Sequence, residues 1–517
     1  GKEVHWSTAR HRYRSPQRDI YDTKIRIKVV EKLTTVRGRR YIGPLDNGQV
    51  TSLTSFFPVQ KGEDDIRMVY DGSVSGLNDA MWVPRFTLPT IESHLRAVEE
   101  GTFMADVDVG ECFLNFILHK DIRALCGVDL THYFPTENNQ KVWISKRQVW
   151  EAWWRAAMGL KSSPYQACQG MTVAEELIKG DPKDPLNVFR WDYVRMNMPG
   201  TKDYDPSLPW VSKVRRDSGR IAADLFTFVD DLRPTGASKK EAWQAGRRAA
   251  SMLNFLGIQD ASRKRRDSSQ APGAWAGCVL RTLEAVYVLI SQEKWDKAKA
   301  MLAEVLILLK ESPKKLSRKR LERIRGFMMY VVRTYVAMSP YMIGFHLTID
   351  SWRPNRDAEG WRMSRMREAE RREWKEDDEK NLDEWMEVDD DADTSAPEYV
   401  TAAPRLISDI EALLILAESA SPPLRLVRCK RYGVAFYGFV DASKEGLGAT
   451  FQVGDDIFYE YGQWSDEISE STLSNWKELG NLVSAVERSC CTHDLNGSEI
   501  WIYMDNMTAE SAFGKGY

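Results

Sequence analysis

The stretch Phe226-Thr227-Phe228-Val229-Asp230-Asp231-Leu232, continued by Arg233-Pro234-Thr235-Gly236, decides how this chain is read. Aromatic and β-branched residues up to Val229 predict a buried strand, and Pro234 with Gly236 predict a stop. Two adjacent aspartates at the tip of an apolar hairpin are costly to desolvate unless a cation or hydrogen-bond donors offset them. A solvated turn is the plain alternative. What else converges on this point decides between the two.

Upstream lies Phe103-Met104-Ala105-Asp106-Val107-Asp108-Val109-Gly110-Glu111-Cys112-Phe113. Its carboxylates at period two on an apolar strand point to one side of a sheet. The flanking Phe, Met and Val argue for burial, so a metal or a donor cluster is implied. Phe113 begins a short helical turn, and Arg123 to Leu130 returns as a strand. Between the two acidic stretches, residues 147–179 read as helix with Trp150, Trp153 and Trp154 as core. That helix is interrupted by Met158-Gly159-Leu160-Lys161-Ser162-Ser163-Pro164-Tyr165-Gln166, where Gly and Pro expose backbone donors before a new start. Earlier still, Asp65 to Asp71 alternates as a strand, with Arg67 on it and Lys61 nearby; a Gly/Ser loop follows, ending at Asn78. Pro89 to Glu100 reads as a helix, and residues 1–45 show no strong period.

If the two acidic stretches are sheet neighbours, three or four carboxylates converge, and their repulsion requires divalent cations. Hard oxygen donors select Mg²⁺, which shares its shell with substrate phosphates. Two such ions clamp the attacking and leaving oxygens of a phosphoryl displacement.

A second acidic set follows downstream. Val434 onward predicts strands at Ala435–Asp441, Leu447–Val453 and Ile457–Trp464, a helix from Ser471 to Arg488 and a strand from Glu499 to Met504. Asp441, Glu478 and Asp505 fall on the first strand, the helix and the end of the last strand. Before this region, residues 295–310 and 316–338 read as two long helices, the second basic at its start.

Composition narrows the function classes. In 517 residues with formal charge −3, residues 373–398 alone carry thirteen acids and two lysines, leaving an excess of eight positive charges elsewhere. These cluster at Arg10 to Lys28, at Arg263-Lys264-Arg265-Arg266 and from Lys314 to Arg325, which suits a polyanionic partner. Seven cysteines without CxxC spacing give neither a zinc site nor a disulfide framework. No apolar run is long enough to span a bilayer, so an intracellular protein of cytoplasm or nucleus is expected, with no membrane partner. The abrupt ends suit a piece of a longer polypeptide.

Asp108-Val109-Gly110-Glu111-Cys112-Phe113, Gly159 to Pro164 and Phe228-Val229-Asp230-Asp231 resemble the central palm motifs of reverse transcriptases. Arg67 to Asp71 with Asn78 resembles their fingers motif. Val440-Asp441-Ala442-Ser443, Asn475 to Leu479 and Tyr503-Met504-Asp505-Asn506 resemble ribonuclease H. The whole order is similar to the reverse transcriptase–ribonuclease H of a retrotransposon, of the LTR or tyrosine-recombinase type and truncated at its C-terminus.

The resemblance implies an α+β multidomain fold. A right-hand polymerase, with fingers, a ferredoxin-like palm and a helical thumb, would be followed by a connection and an α/β ribonuclease H-like domain. Its divisions would be a basic extension over 1–45, fingers and palm over 46–260 with an insertion at 181–220, and a thumb-like region over 261–340. A connection over 341–430, with a charged insertion at 355–400, would lead to an incomplete ribonuclease H-like domain at 431–517.

The resemblance further implies that Asp108, Asp230 and Asp231 ligate catalytic Mg²⁺ or Mn²⁺, as Asp441, Glu478 and Asp505 would in the nuclease. Lys61 and Arg67 would hold the incoming dNTP, and Phe113 would reject a 2′-hydroxyl. Gly159, Ser163, Pro164 and Gln166 would lie under the nascent pair and template, while Asp106, off the motif, would be a supporting residue. Implied partners are an RNA template, a DNA primer, an RNA–DNA hybrid, dNTP and other polyprotein domains. The alternative is a domesticated RNA-binding scaffold that keeps both folds without the chemistry.

Overall fold

The computed structural model describes residues 17–45, 50–62, 64–88, 90–134, 149–262, 265–353, 356–361, 396–430, 433–466, 468 and 473–515. Arg10, Arg12 and Arg14, Pro89, Arg263-Lys264 and residues 362–395 of the charged insertion lie outside them. The chain is mixed α/β and divides into two compact units. One comprises residues 1–97, 101–195 and 211–276; the other comprises 98–100, 196–210 and 277–517.

In the first unit, residues read as an aperiodic extension instead include helix α1 (Thr23–Gly38), capped by Asp22 through Lys24 N and Ile25 N. Only Val29 and Leu33, one turn apart, are fully buried, so the sequence carries little amphipathic signal. Strands β1 (Ile42–Gly43), β6 (Gly127–Asp129) and β7 (Trp150–Trp153) form a sheet in the order β1-β7-β6. The sequence predicted helix across 147–179. Trp150–Trp153 is instead a central strand, buried at every residue. A strand buried on both faces loses its period of two, and the tryptophans at i, i+3 and i+4 imitate a helix. Its one charge, Glu151, is held by a two-pronged pair with Arg37 of α1, at 3.2 and 2.8 Å.

β2 (Ser55–Lys61) and β3 (Asp65–Asp71) form an antiparallel hairpin with Lys61 opposite Asp65. The helix predicted over 89–100 shortens to α2 (Ile91–Leu95).

The central sheet combines β4 (Phe103–Met104), β5 (Val107–Asp108), β10 (Leu225–Phe228) and β11 (Asp231–Gly236), with β11 in the middle. Pro234 therefore does not stop the strand. It accepts from Ala105 N at 2.9 Å but has no N–H to return, and the ladder is interrupted between β4 and β5. Asp106 thus sits in the break itself, while Asp108 lies on β5 beyond it, although one register runs through both. Helices α3 (Ser163–Lys179) and α4 (Lys239–Phe255) pack here, burying Ala167, Met171, Ala174 and Ile178 of one and Ala245, Ala249 and Leu253 of the other with Val107, Leu225 and Leu232. Small side chains on α4 let a helix lie close to the sheet.

Strands β8 (Tyr193–Met196) and β9 (Val211–Val214) pair with each other on either side of the 196–210 segment.

The second unit contains the sheet β12 (Val279–Arg281), β13 (Val286–Leu289), β16 (Arg425–Arg428) and the short pair β14 (Leu316–Ser317) and β15 (Tyr399–Val400). The two long helices read from the sequence are α5 (Gln292–Glu311) and α6 (Arg318–Thr334). They share a core of Trp295, Leu302, Leu321 and Met328 with α7 (Ile343–Asp350) and α8 (Leu406–Leu416).

β17 (Ala435–Ala442), β18 (Gly446–Val453), β19 (Asp456–Gln463) and β20 (Glu499–Tyr503) form a sheet in the order β19-β18-β17-β20, with β17 and β20 parallel. Helix α9 (Ser474–Thr492) seals one face through Leu482 and Ala485 against Val440, Ala449 and Phe451, and α10 (Met507–Lys515) follows β20. Residues 196–210 also belong to this unit: Gly200 N donates to the Tyr437 hydroxyl at 3.0 Å, Tyr204 donates to Glu499, and the Trp210 and Trp501 rings lie 5.4 Å apart. Among the described residues, no helix is long and apolar enough to cross a membrane.

Candidate active site

The hairpin β10–β11 turns through only Val229 and Asp230, with Phe228 opposite Asp231. Val229 sits at φ +56°. That left-handed conformation is a real strain for a β-branched residue, and it holds the turn in one narrow shape. Asp231 pairs across the ladder with Asp108, and Asp230 O accepts from Val109 N at 2.8 Å. The two acidic stretches, 122 positions apart by number (108 to 230), are therefore adjacent strands. Like charges directly opposite in a sheet destabilise it unless something offsets them.

A cleft of about 920 Å³ opens beside this pair, lined by Asp108, Asp230, Phe113, Lys61, Arg67 and Met158 among others. Phe113 stands on a 3-10 turn, Cys112–Asn115, and packs on two cores at once, which fixes its ring. Burial, then Asp230, Cys168 and Asp108, push the Cys112 thiol up to about 12. It is therefore a neutral filler whose surroundings register both carboxylates.

Asp231 lies outside the cleft lining, as do Gly159, Ser163, Pro164 and Gln166. These last four are placed by the loop before α3. Gly159 has φ +103°, and a Cβ there would stand 1.6 Å from Tyr70 O, so only glycine fits. Asn78 fastens the loop, donating to Gly159 O at 2.9 Å and accepting from Lys161 N at 2.8 Å. The buried Ser163 hydroxyl donates to Ala157 O at 2.8 Å, and Pro164 starts the helix. The Gln166 amide oxygen is buried with no hydrogen-bond partner.

Sequence reasoning gave no role to Glu111 or Arg39, both of which line the cleft. The Arg39 guanidinium pairs with Glu111 at 2.7 Å and is pushed up by that charge; Tyr41 also donates to Glu111, and Gln259 donates to Tyr41. The Arg37-Gly38-Arg39-Arg40 run was the available signal, hidden within a stretch read as a basic extension without a period. Asp106 does not join the cleft. It accepts from Arg233 Nε at 2.7 Å, and Arg233 is fully buried. Burial pushes that guanidinium down from its ordinary value, while Asp106 and then Asp231 push it back.

Among the described residues, no group of three or more His, Cys, Asp and Glu is arranged to hold a metal. The donor set that faces the cleft, Asp108 and Asp230, nevertheless fits a hard divalent cation. Mg²⁺ characteristically takes one or two carboxylates and completes its shell with water and phosphate.

In the second unit, Phe439 pairs with Tyr503 across parallel strands. Asp441 and Asp505 each lie two residues beyond that pair, at one end of adjacent strands. Glu478 is buried on α9; its Oε1 accepts from Asn506 Nδ2 at 3.0 Å, and its Oε2 is buried without a hydrogen-bond partner. Asn506 also reaches Asn475 at 2.8 Å, tying the loop after β20 to α9. Asp441 and Asp505 thus share one end of the sheet, Asn506 ties Glu478 to the loop that carries Asp505, and an orphaned carboxylate oxygen suits a cation ligand.

No family model matches the sequence, and no curated protein matches it. Among solved structures, the chain is similar to a foamy viral protease-reverse transcriptase dRH in complex with double-stranded DNA, at 12% identity and TM-score 0.48, covering 99% of this chain and 69% of that one. It is similar to the foamy viral protease-reverse transcriptase in complex with RNA/DNA hybrid at 12% and 0.48, covering 99% and 52%. The same protein with double-stranded DNA gives 12% and 0.45, covering 96% and 79%.

Proposed function

We propose that this chain is the RNA-directed DNA polymerase of a retroelement, with an attached ribonuclease H module. The observation that carries the proposal is the cross-strand pairing of Asp108 with Asp231, with Asp230 on the same cleft as Lys61 and Arg67. Carboxylates and cations lining one cleft suit a nucleoside triphosphate held by its phosphates while its α-phosphorus meets a primer 3′-oxygen.

Asp108 and Asp230, with Asp231 behind them, would hold Mg²⁺ or Mn²⁺. When bound, such a pair of ions stabilises the attacking and leaving oxygens. Arg67 and Lys61 neutralise the triphosphate. Phe113, a fixed ring on the cleft wall, fills the space of a 2′-hydroxyl and so favours dNTP. The Gly159–Gln166 segment supports the nascent pair and the template.

In the nuclease, Asp441, Glu478 and Asp505 would hold the cations that direct water at RNA in a hybrid. On α6 and just before it, Arg318 and Arg320 are committed to Glu322 and Glu304, while Lys314, Lys315, Lys319 and Arg323 are exposed. These exposed charges suit contact with duplex phosphates, without sequence readout.

Mg²⁺-dependent dNTP incorporation on poly(rA)/oligo(dT) tests the reading. The wild type should extend the primer, and Asp230→Asn should lose extension while still binding the hybrid. Tight RNA binding with no incorporation by the wild type would instead identify a scaffold.

A further inference from the structure

The register that sets Asp231 opposite Asp108 and Leu232 opposite Val107 continues through the interruption, since Ala105 N bonds Pro234 O and Met104 pairs with Thr235. It places Arg233 opposite Asp106. Side chains two residues apart on a strand share a face, so the Arg233–Asp106 pair is the next rung to Asp231–Asp108, about 7 Å along.

The rung is built, not incidental. Arg233 is fully buried, its Nε donates to Asp106 at 2.7 Å, one terminal nitrogen donates to Gly273 O at 3.1 Å, and the guanidinium lies 5.8 Å from the centre of the Trp275 ring. Trp275 in turn donates its indole N–H to Asp231 O at 3.1 Å. The same indole thus supports the guanidinium and the backbone of the aspartate.

A buried arginine beside a carboxylate cluster acts in two opposed ways. Alone, it would compete with a divalent cation for Asp108 and Asp231. Asp106 alone, on the same face, would enlarge the acidic cluster and draw a cation away from the hairpin tip.

We infer that Arg233 and Asp106 are a mutually neutralising positioning pair, which sets the divalent-cation affinity of the Asp108–Asp230–Asp231 site and confines the cation to those carboxylates. The inference rests on the polymerase reading above and deepens it, assigning Arg233 a role through its neighbours and no contact with substrate.

The test is Mn²⁺ binding by electron paramagnetic resonance on the full chain. Every protein carries Glu478→Gln, which silences the second acidic site, and the signal counted is the Mn²⁺ that Asp108→Asn removes. Asp106→Asn leaves a bare buried cation one rung away and should weaken Mn²⁺ binding at least about fivefold. Arg233→Gln frees the Asp106 charge and should tighten binding at least about fivefold, while lowering nucleotide incorporation at saturating metal.

The double variant Arg233→Gln/Asp106→Asn keeps the shape without either charge and should return Mn²⁺ affinity to within about twofold of the parent. It also serves if Arg233→Gln alone fails to fold. A double variant that stays weak would make Asp106 a ligand and overturn the inference; so would folded single variants of parental affinity. If the parent shows no Mn²⁺ that Asp108→Asn removes, the polymerase reading itself fails, and the inference with it.

Discussion

Asn78 and Gly159 are joined by a 2.9 Å hydrogen bond across 81 positions of sequence, and the same Asn78 side chain also receives Lys161 N. One amide thereby closes both sides of a loop whose glycine presses on Tyr70 O. Asn78→Ala should cost about 1–2 kcal/mol in urea unfolding, two hydrogen bonds at the usual net value. It should also speed tryptic cleavage after Lys161. Gly159→Ala, whose new methyl has no room, should cost about 4 kcal/mol or more. Unchanged cleavage in Asn78→Ala would show that the loop is held by something else.

Glu151 is the one charge on the buried strand β7, and Arg37 is its two-pronged partner. Arg37→Ala leaves that carboxylate unpaired in the core and should destabilise by about 3–5 kcal/mol. Replacing both, as Arg37→Met/Glu151→Leu, should recover most of the loss, which a double-mutant cycle in urea would measure.

His94 is fully buried between Phe226 and Trp275, with ring centres at 4.4 and 5.1 Å and neither nitrogen hydrogen-bonded. Burial, and then Arg233, hold it well below the usual histidine range, so it is neutral when folded. Unfolded, it takes a proton below about pH 6.5. The unfolded state then binds more protons, and stability should fall as pH drops below that value, by up to about 1.4 kcal/mol per unit. His346 is shifted in the same direction by burial and then Arg325, against Asp350. The difference between wild type and His94→Phe in urea titrations from pH 7 to 5 therefore isolates His94.

Glu478 buries an unsatisfied carboxylate oxygen. Glu478→Gln removes a buried charge and should stabilise the chain by roughly 1 kcal/mol without metal. Mg²⁺ should then raise the melting temperature of the wild type more than that of the variant, because a ligand stabilises only the state that binds it. Equal shifts in both proteins would exclude this oxygen as a ligand.

Much of the central sheet was legible because its signals are local. Apolar runs mark β10 and β5, an acid pair marks the turn into β11, and Gly159 with Pro164 marks the start of α3. The adjacency of Asp108 and Asp231 was the expectation on which the site depended, and the register supplies it. Elsewhere local pattern and tertiary context disagreed. Trp150, Trp153 and Trp154 carry a helical spacing, but Trp150–Trp153 lies between two strands where neither face is polar. Pro234 reads as a breaker, yet its missing N–H falls where the ladder is already interrupted. Asp106 looked equivalent to Asp108 because a period of two says which face a side chain takes and nothing about its partner. Arg233, the partner, was given no reading beside the stop predicted from Pro234 and Gly236.

The 196–210 segment has a consequence for the order in which the molecule forms. Tyr204 bonds Glu499 across 295 positions, and Trp210 packs on Trp501. A ribosome emits these residues long before their partners exist. The second unit, which holds both partners, therefore completes itself only once β20 has been made. Such a long-range closure is intrinsically slow. Residues 277–517 expressed alone would leave Glu499 and Trp501 without these partners.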